Sequence, residues 1–457
     1  MRKMKKAAAL LMAGVMAFSL GGCGGGNSGT TGAAGSQGTE QGGAGQDSAA
    51  QSSKDGAETA GKSVKFWISS GAEDDIYRAM FRDIEGKLGV TIVDEYYSKD
   101  ELDSKMQVST IAGDMPDALI ADYLLLPNYC EAGMIAPIDE YMTDDIKSDL
   151  LSSVVDEATV NGQLVAVAQF DGGMAMWGNK EMLDKAGVRI PASYKEAWDR
   201  QEFEAALAAL KDSGVEYPLY VRQNNPSTMY YTYMPVIKSF GGDYADRDTM
   251  MTEGTLDGEG TTQALEYLTW MVEQGYINPT CDYDDAFETR KESALSLVGH
   301  WKYTNYKDGI GEDNLVLIPI PDFGNGVYTC SGSVVWAMTS GAKENGSADV
   351  VWQIMKAAME PDNIEKVVSI NGAIPARKSV MDSIPQYQEG GKLYLYREQL
   401  EAGISYLRPF TSAHMTIYDQ MKAVYGDIFA GADAAESLKN ASAAIDEIIS
   451  ENGWGAQ

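Results

Sequence analysis

Cysteine and histidine are scarce, with four cysteines and two histidines among 457 residues. Cys130, Cys281 and Cys330 are too widely spaced for a zinc site or a disulfide framework, so we expect mostly buried thiols that pack as small apolar side chains. The chain also lacks the H-E-x-x-H and G-x-S-x-G patterns of metalloproteases and serine hydrolases. The sequence therefore predicts no metal, no cofactor and no catalytic residue.

Basic residues are few relative to acids, with 36 Lys and Arg against 67 Asp and Glu. The formal net charge is −31, and removal of residues 1–22 would take away four basic residues and no acids. We therefore do not expect nucleic-acid binding, because neutralising the phosphates requires Lys and Arg. The overall composition, 44% hydrophobic and 23% charged, is that of a globular protein.

Long apolar runs are absent apart from one near the start, residues 7–20. A membrane-spanning helix needs about 20 residues, so this run is too short to cross a bilayer. Behind a basic start, it predicts a signal peptide over residues 1–22. Leu20-Gly21-Gly22-Cys23 resembles the bacterial lipobox, which implies a lipidated Cys23 and anchoring to the cell membrane. The alternative is an ordinary signal peptide with a chance cysteine.

Residues 24–62 contain no aromatic residue and no Val, Ile or Leu, and 12 of the 39 are glycine. Such a segment buries too little apolar surface to offset chain entropy, so 23–62 is predicted to be a disordered tether that carries the lipid. The remaining residues, 63–457, are enough for two domains or two lobes.

Strand-like and helix-like patterns alternate after the tether. The β-α-β-α-β order over residues 64–121 predicts an open α/β sheet. A second series follows Asn161-Gly162, a hairpin signal, and includes a helix over 194–212 and strands at "ALSLVGHW" and "GSVVWAMT". The segments after these two series must pack against one or the other of them, so the chain crosses more than once between two lobes. We expect a cleft between the lobes, which is the usual position of a ligand.

Several segments carry a resemblance to one family when their order and spacing are taken together. They are "GDMPDALIAD", "CEAGMIAPIDEYM", "NGQLVAVAQFDGGMAMWGNKEMLDKAGV", "PASYKEAW", "ALSLVGHW" and "SADVVWQIMKAAMEPDNIEKVVSINGAIPARKSV". From residue 64 onward the chain resembles the extracellular solute-binding lipoproteins of ABC importers, the group that includes maltose-binding protein.

The resemblance implies the two-lobed α/β fold of type II periplasmic binding proteins, with an open sheet flanked by helices in each lobe. Lobe one would comprise 63–170 and 334–378, and lobe two 175–330 and 385–457. Hinge crossovers near 170–174 and 330–335 would let ligand binding close the lobes. The implied partners are a small-molecule solute, expected to be a mono- or oligosaccharide, and the permease subunits of an ABC importer; we expect a monomer.

Candidate ligand contacts follow from sugar chemistry, since aromatic rings cover the apolar face of a sugar and polar side chains bind its hydroxyls. Trp301 is the first candidate because it follows Gly299-His300 at a predicted strand end and matches the family's Gly-x-Trp. Core packing or helix capping is the alternative for every candidate. The others are Trp67, Ser70, Asp122, Asp171, Trp177, Tyr230, Ser331, Ser333, His414 and Tyr418.

Three other functions stay open at this point. A secreted lipoprotein glycosidase would use a pair of carboxylates. With 67 Asp and Glu in the chain, counting acids does not exclude such a pair. A sensor that presents its ligand to a membrane receptor would share the same fold. A peptide or another small solute could replace the sugar.

Overall fold

The computed structural model describes residues 61–455. The predicted signal peptide, Cys23 and nearly all of the predicted tether lie outside the described residues. Within 61–455, no helix is both long and apolar enough to cross a membrane. Cys281 and Cys330 are buried, Cys130 is half-buried, and all three are free thiols.

The predicted β-α-β-α-β order is confirmed at the start of the described chain. The elements are β1 (Ser63–Ser69), α1 (Asp74–Leu88), β2 (Thr91–Tyr97), α2 (Lys99–Ala112) and β3 (Ala118–Asp122). Local sequence sets their limits: α1 ends at Gly89, whose φ of 68° suits a residue without a Cβ. α2 begins with a capping box, in which Ser98 and Glu101 each accept from the other's backbone N–H.

The rest of the described chain adds short strands and many helices. The strands are β4 (Thr159–Val160), β5 (Gln163–Leu164), β6 (Ala166–Val167), β7 (Phe170–Asp171), β8 (Met176–Asn179), β9 (Leu219–Tyr220), β10 (Leu295–Ser296), β11 (Leu315–Ile318), β12 (Thr329–Cys330), β13 (Val334–Met338), β14 (Ile374–Pro375) and β15 (Ser405–Tyr406). The helices are α3 (Leu126–Glu131), α4 (Asp144–Asp149), α5 (Ser152–Glu157), α6 (Lys180–Ala186), α7 (Arg200–Asp212), α8 (Pro226–Thr232), α9 (Met234–Ser239), α10 (Glu259–Glu273), α11 (Tyr303–Ile310), α12 (Ser340–Asn345), α13 (Ala348–Ala358), α14 (Pro361–Asn371), α15 (Lys378–Ser383), α16 (Tyr394–Glu401), α17 (His414–Phe429) and α18 (Ala434–Asn452).

Two main sheets form within the described residues. The first has the order β2-β1-β3-β13-β6, with β1 parallel to β2 and β3, and β13 antiparallel to β3 and β6. The second has the order β11-β8-β10-β9, with β8 antiparallel to both of its neighbours. The chain therefore passes from the first sheet to the second after β6 and returns before β13. β7 and β12 lie on these two connections and pair with β14 and β15 from later in the chain.

Trp336 of β13 shows how α1 is fixed on the first sheet. Its side chain is 1% exposed, and its ring centroid lies 5.5 Å from that of Tyr77, 5.6 Å from Phe81 and 6.1 Å from Phe66. Edge-to-face pairs of this kind contribute about 0.5–1.5 kcal/mol each beyond the buried area. They hold α1 rigidly, and with it the loop Ser70–Glu73 at its N-terminal end.

The Asn161-Gly162 hairpin is confirmed, since β4 pairs with β5 and both turn residues have positive φ, 51° and 76°. Two local predictions are wrong. The helix predicted over 194–212 begins at Arg200, because the Asp199 side chain caps it by accepting from the Glu202 backbone N–H at 2.8 Å. The strand predicted at "ALSLVGHW" is shorter than expected: only β10 is a strand, and His300–Lys302 form a 3₁₀ turn.

Candidate ligand-binding cleft

A cleft of about 490 Å³ lies where strands of both sheets end. Ser70 follows β1, Asp122 ends β3, Arg222 follows β9, and Trp301 follows β10. Loops beyond the carboxyl ends of strands are the usual ligand positions in open α/β sheets, because several elements converge there. The lining residues are Ser70–Glu73, Lys99, Asp122, Phe170, Arg222, Ser227, Thr228, Tyr231, His300, Trp301, Gly332–Val334, Arg408 and Tyr418.

Five of the predicted contacts line this cleft: Ser70, Asp122, Trp301, Ser333 and Tyr418. Trp301 is half-buried, and its ring centroid lies 5.9 Å from that of a second aromatic ring, Tyr231. Whether these side chains contact a ligand stays a prediction. Their convergence places aromatic and polar groups at one site.

Two predicted aromatic contacts, Trp67 and Trp177, lie in the core and do not line the cleft. Trp67 and Trp177 are 2% and 1% exposed. Trp67 packs against Tyr97 at 5.9 Å, because β1 is an inner strand with both faces covered. The Trp177 ring packs among three tyrosines beside the second sheet: Tyr303, Tyr306 and Tyr396.

Tyr230 and His414 form a second buried group outside the lining. Tyr230 is fully buried against Tyr244, at a ring-centroid distance of 4.7 Å, and lies 5.6 Å from the His414 ring. Both His414 ring nitrogens lack a hydrogen-bond partner within 61–455. Burial lowers the pKa of His414 well below its usual range, and the charge of Lys99 adds to this, so the ring is neutral.

Asp171 and Ser331 are buried and do not line the cleft, and each lies on one of the two connections between the sheets. The Gly332 backbone N–H donates to Asp171 Oδ1 at 3.0 Å, and the Ser331 and Ser405 hydroxyls hydrogen-bond each other. Burial raises the pKa of Asp171. Ser333 lines the cleft and also donates its hydroxyl proton to the buried Glu157 at 2.5 Å.

Asp122 is the charged centre of the cleft. Its Oδ2 lies 3.2 Å from Lys99 Nζ and 3.5 Å from an Arg408 guanidinium nitrogen, and its Oδ1 accepts from the Leu124 backbone N–H at 3.1 Å. Burial opposes ionisation of Asp122, but the charges of Lys99 and Arg408 outweigh it and hold the pKa of this carboxyl well below its usual range. Asp122 is therefore a carboxylate at neutral pH.

Glu73 and His300 line the same cleft, and burial shifts the pKa of each toward its uncharged form. Burial raises the pKa of Glu73, although Asn371 Nδ2 donates to its Oε1 at 2.7 Å. Burial lowers the pKa of His300 to about 4, so its ring is neutral at pH 7. The His300 Nδ1 atom donates to the Asn371 carbonyl oxygen at 3.2 Å, because a carbonyl can only accept.

A family model described as bacterial extracellular solute-binding protein matches residues 79–393. The chain belongs to this family. The family assignment places the protein outside the cytoplasm and makes solute binding its established role. Among curated relatives, a maltotriose-binding protein of Pyrococcus abyssi is 24% identical over 379 residues, which is 82% of this chain and 75% of the relative.

Solved structures show the same fold. The GacH receptor of Streptomyces glaucescens, solved unliganded and with acarbose, aligns with a TM-score of 0.72 at 21% identity, covering 86% of this chain and 99% of the other. An ABC substrate-binding protein of Listeria monocytogenes in complex with cycloalternan aligns with a TM-score of 0.72 at 19% identity, covering 85% and 99%. The predicted fold class, a two-lobed type II binding protein, is thereby confirmed; the predicted lobe boundaries stay a prediction.

Among the lining residues of this solute-binding protein are several that the sequence analysis did not select: Glu73, Lys99, Arg222 and Arg408. Arg222 lies two residues after β9, and Asp122 ends β3, so a search for charged residues at strand ends would have found both. Arg408 has no such signal, because it lies in a loop that reaches the cleft only through the pairing of β15 with β12. Lys99 begins a helix and resembles any other exposed lysine in sequence.

Proposed function

We propose that this protein captures a mono- or oligosaccharide in the cleft and delivers it to the permease of an ABC importer. One observation carries the proposal: a half-buried Trp301 stands beside Tyr231 in a cleft that is also lined by charged and hydroxyl side chains. The aromatic faces would cover the C–H face of a sugar ring, and Asp122, Ser70 and Thr228 would bind its hydroxyls.

The comparisons support a carbohydrate over a peptide. The names of the similar proteins give maltotriose, acarbose and cycloalternan as their ligands. The cleft volume, about 490 Å³, falls in the usual range of about 300–1,000 Å³ for a small-molecule site.

The rest of the proposal concerns transport. The two lobes, 63–170 with 334–378 and 175–330 with 385–457, would close on the ligand about the crossovers 170–174 and 330–335. A lipidated Cys23 would anchor the protein, as a monomer, to the outer face of the cell membrane. The permease would bind the closed form there. In the alternative function, a membrane receptor that acts as a sensor would bind the same closed form.

A glycosidase is the second candidate, and one observation favours it. Glu73, whose pKa is raised, and Asp122, whose pKa is lowered, line the same cleft, and glycoside hydrolysis uses two carboxyl groups whose pKa values are shifted apart. Asp122, however, is neutralised by Lys99 and Arg408, which makes it a poor nucleophile. We propose binding without catalysis.

Calorimetric titration of the full-length protein with mono-, di- and trisaccharides, and with tripeptides as controls, tests the proposal. We expect saturable binding to a saccharide and no new reducing ends after long incubation. At a ligand concentration of 100 times Kd the stability should rise by about 2.7 kcal/mol. Binding to peptides alone would contradict the carbohydrate, and turnover would contradict the absence of catalysis.

A further inference from the structure

Arg408 is an unusually placed cation. The residue is 6% exposed, and its guanidinium carbon lies 4.9 Å from the ring centroid of Tyr231, 5.5 Å from Tyr123 and 5.6 Å from Tyr230. Its one ion pair within residues 61–455 is the 3.5 Å contact with Asp122, and its Nε has no hydrogen-bond partner there. The aromatic rings fix the guanidinium, but they satisfy none of its N–H donors.

A guanidinium offers five N–H donors in a planar fork. Buried charges are normally paired, because an unpaired buried charge carries its full desolvation cost. Arg408 lines the cleft, so a group that completes its coordination has to come from the cleft side. A carboxylate matches this fork best, since its two oxygens accept two parallel N–H bonds and supply the opposite charge.

The charge balance of the cleft points the same way. Lys99 and Arg408 share a single carboxylate, Asp122, whereas Arg222 is already neutralised by bidentate bonds to Asp284 at 3.0 and 2.7 Å. The other acid in the lining is Glu73, whose pKa is raised by burial and whose Oε1 accepts from Asn371 Nδ2. Around Asp122 the cleft thus holds two cations against one carboxylate, in a chain whose formal net charge is −31. A local charge opposite in sign to that of the whole chain favours anions at this one place.

We propose that the carbohydrate bound in this cleft carries a carboxylate, as in a uronic acid or sialic acid residue, and that Arg408 and Lys99 hold it. Tyr231 connects the two halves of the site, since its ring lies beside Trp301 on one side and beside Arg408 on the other. The sugar ring packs against Trp301, and its carboxylate faces the guanidinium. This assignment of the substrate class rests on the proposed carbohydrate-binding function.

Matched pairs of sugars test it. The full-length protein is titrated by calorimetry with digalacturonate against galactobiose, with sialyllactose against lactose, and with sulfated lactose as a second kind of anion. We expect the carboxylate-bearing member of at least one pair to bind at least tenfold more tightly, with an affinity that falls as salt is raised. Arg408→Gln should abolish most of that preference.

Arg200→Gln is the control, because it also removes one positive charge but lies on α7 and pairs with Glu204 at the surface. It should leave the preference intact. If Arg408→Gln fails to fold, the Lys99→Gln variant tests the preference for a carboxylate instead. The comparison of matched sugars on the wild-type protein tests it without any variant. Equal or tighter binding of the neutral sugars would overturn the inference while leaving the proposed function standing. Tighter binding of the sulfated sugar would count against the carboxylate, and no binding of any saccharide would refute the proposed function together with the inference.

Discussion

Replacing Trp301 by alanine separates a ligand platform from a core residue. Trp301 is half-buried in the cleft wall, with Tyr231 at 5.9 Å and His300 at 5.5 Å between ring centroids. Loss of an aromatic anchor at a binding site typically costs about 2 kcal/mol or more, which is roughly thirtyfold in affinity. Because part of the ring is already exposed, the ligand-free protein should lose less stability than it would from truncation of a buried tryptophan.

Trp177→Ala is the matched control. Trp177 is 1% exposed and packed among three tyrosines, so its removal should cost about 3–5 kcal/mol of folding free energy. Affinity measured at low temperature, where this variant stays folded, should be little changed. Trp301→Ala should therefore weaken ligand binding, whereas Trp177→Ala should lower the free energy of unfolding.

Gly299→Ala offers a subtler test of the same ring. A Cβ at Gly299 would lie 2.0 Å from Trp301 Cζ3, and the φ of −71° allows alanine without backbone strain. The added methyl should displace the ring rather than delete it, and affinity should fall. The assay is calorimetric titration with the best saccharide, together with ligand-free thermal melting. Preserved affinity in Trp301→Ala, or a melting temperature as low as that of Trp177→Ala, would refute the reasoning.

Three further predictions concern the anchor, the motion and the buried acids. Cys23→Ala should release the protein from the membrane fraction or leave the precursor unprocessed; unchanged lipid labelling would contradict the anchor. A tightly bound saccharide should reduce the radius of gyration in small-angle scattering, and an identical scattering profile would exclude hinge closure. Burial, with the Asp171 charge adding to it, raises the pKa of Glu157 well above its usual range, so the folded state holds a proton that the unfolded state releases. Stability should fall as pH rises from about 4.3 toward the folded pKa, and Glu157→Gln should flatten this slope in urea titrations; an unchanged slope would count against it.

The elements that sequence could predict are those with local causes. The first β-α-β-α-β unit follows from hydrophobic periodicity, and α6 ends where Gly187 adopts a φ of 71°. Asp122 could be selected because it directly follows a buried strand in a sheet whose strand ends meet at one edge. These signals need no knowledge of distant residues.

The remainder depends on contacts between distant parts of the chain. Trp67 lies within a strand and Trp301 follows one, and the sequence does not say that residues of β2 and α2 cover Trp67 while Trp301 stays half-buried. Arg408 reaches the cleft only because β15 pairs with β12, about 75 residues earlier. Aromatic residues near strand ends were therefore predicted in excess, and cations in loops were overlooked.

A crystal structure of the protein with its tightest-binding saccharide tests the central claim most directly. We expect the sugar in the cleft, with one ring against Trp301, hydroxyls bound to Asp122, and the two lobes closed around it. A saccharide bound elsewhere, such as in the 550 Å³ cavity beside Phe410 and Trp454, with the cleft left empty, would contradict the account.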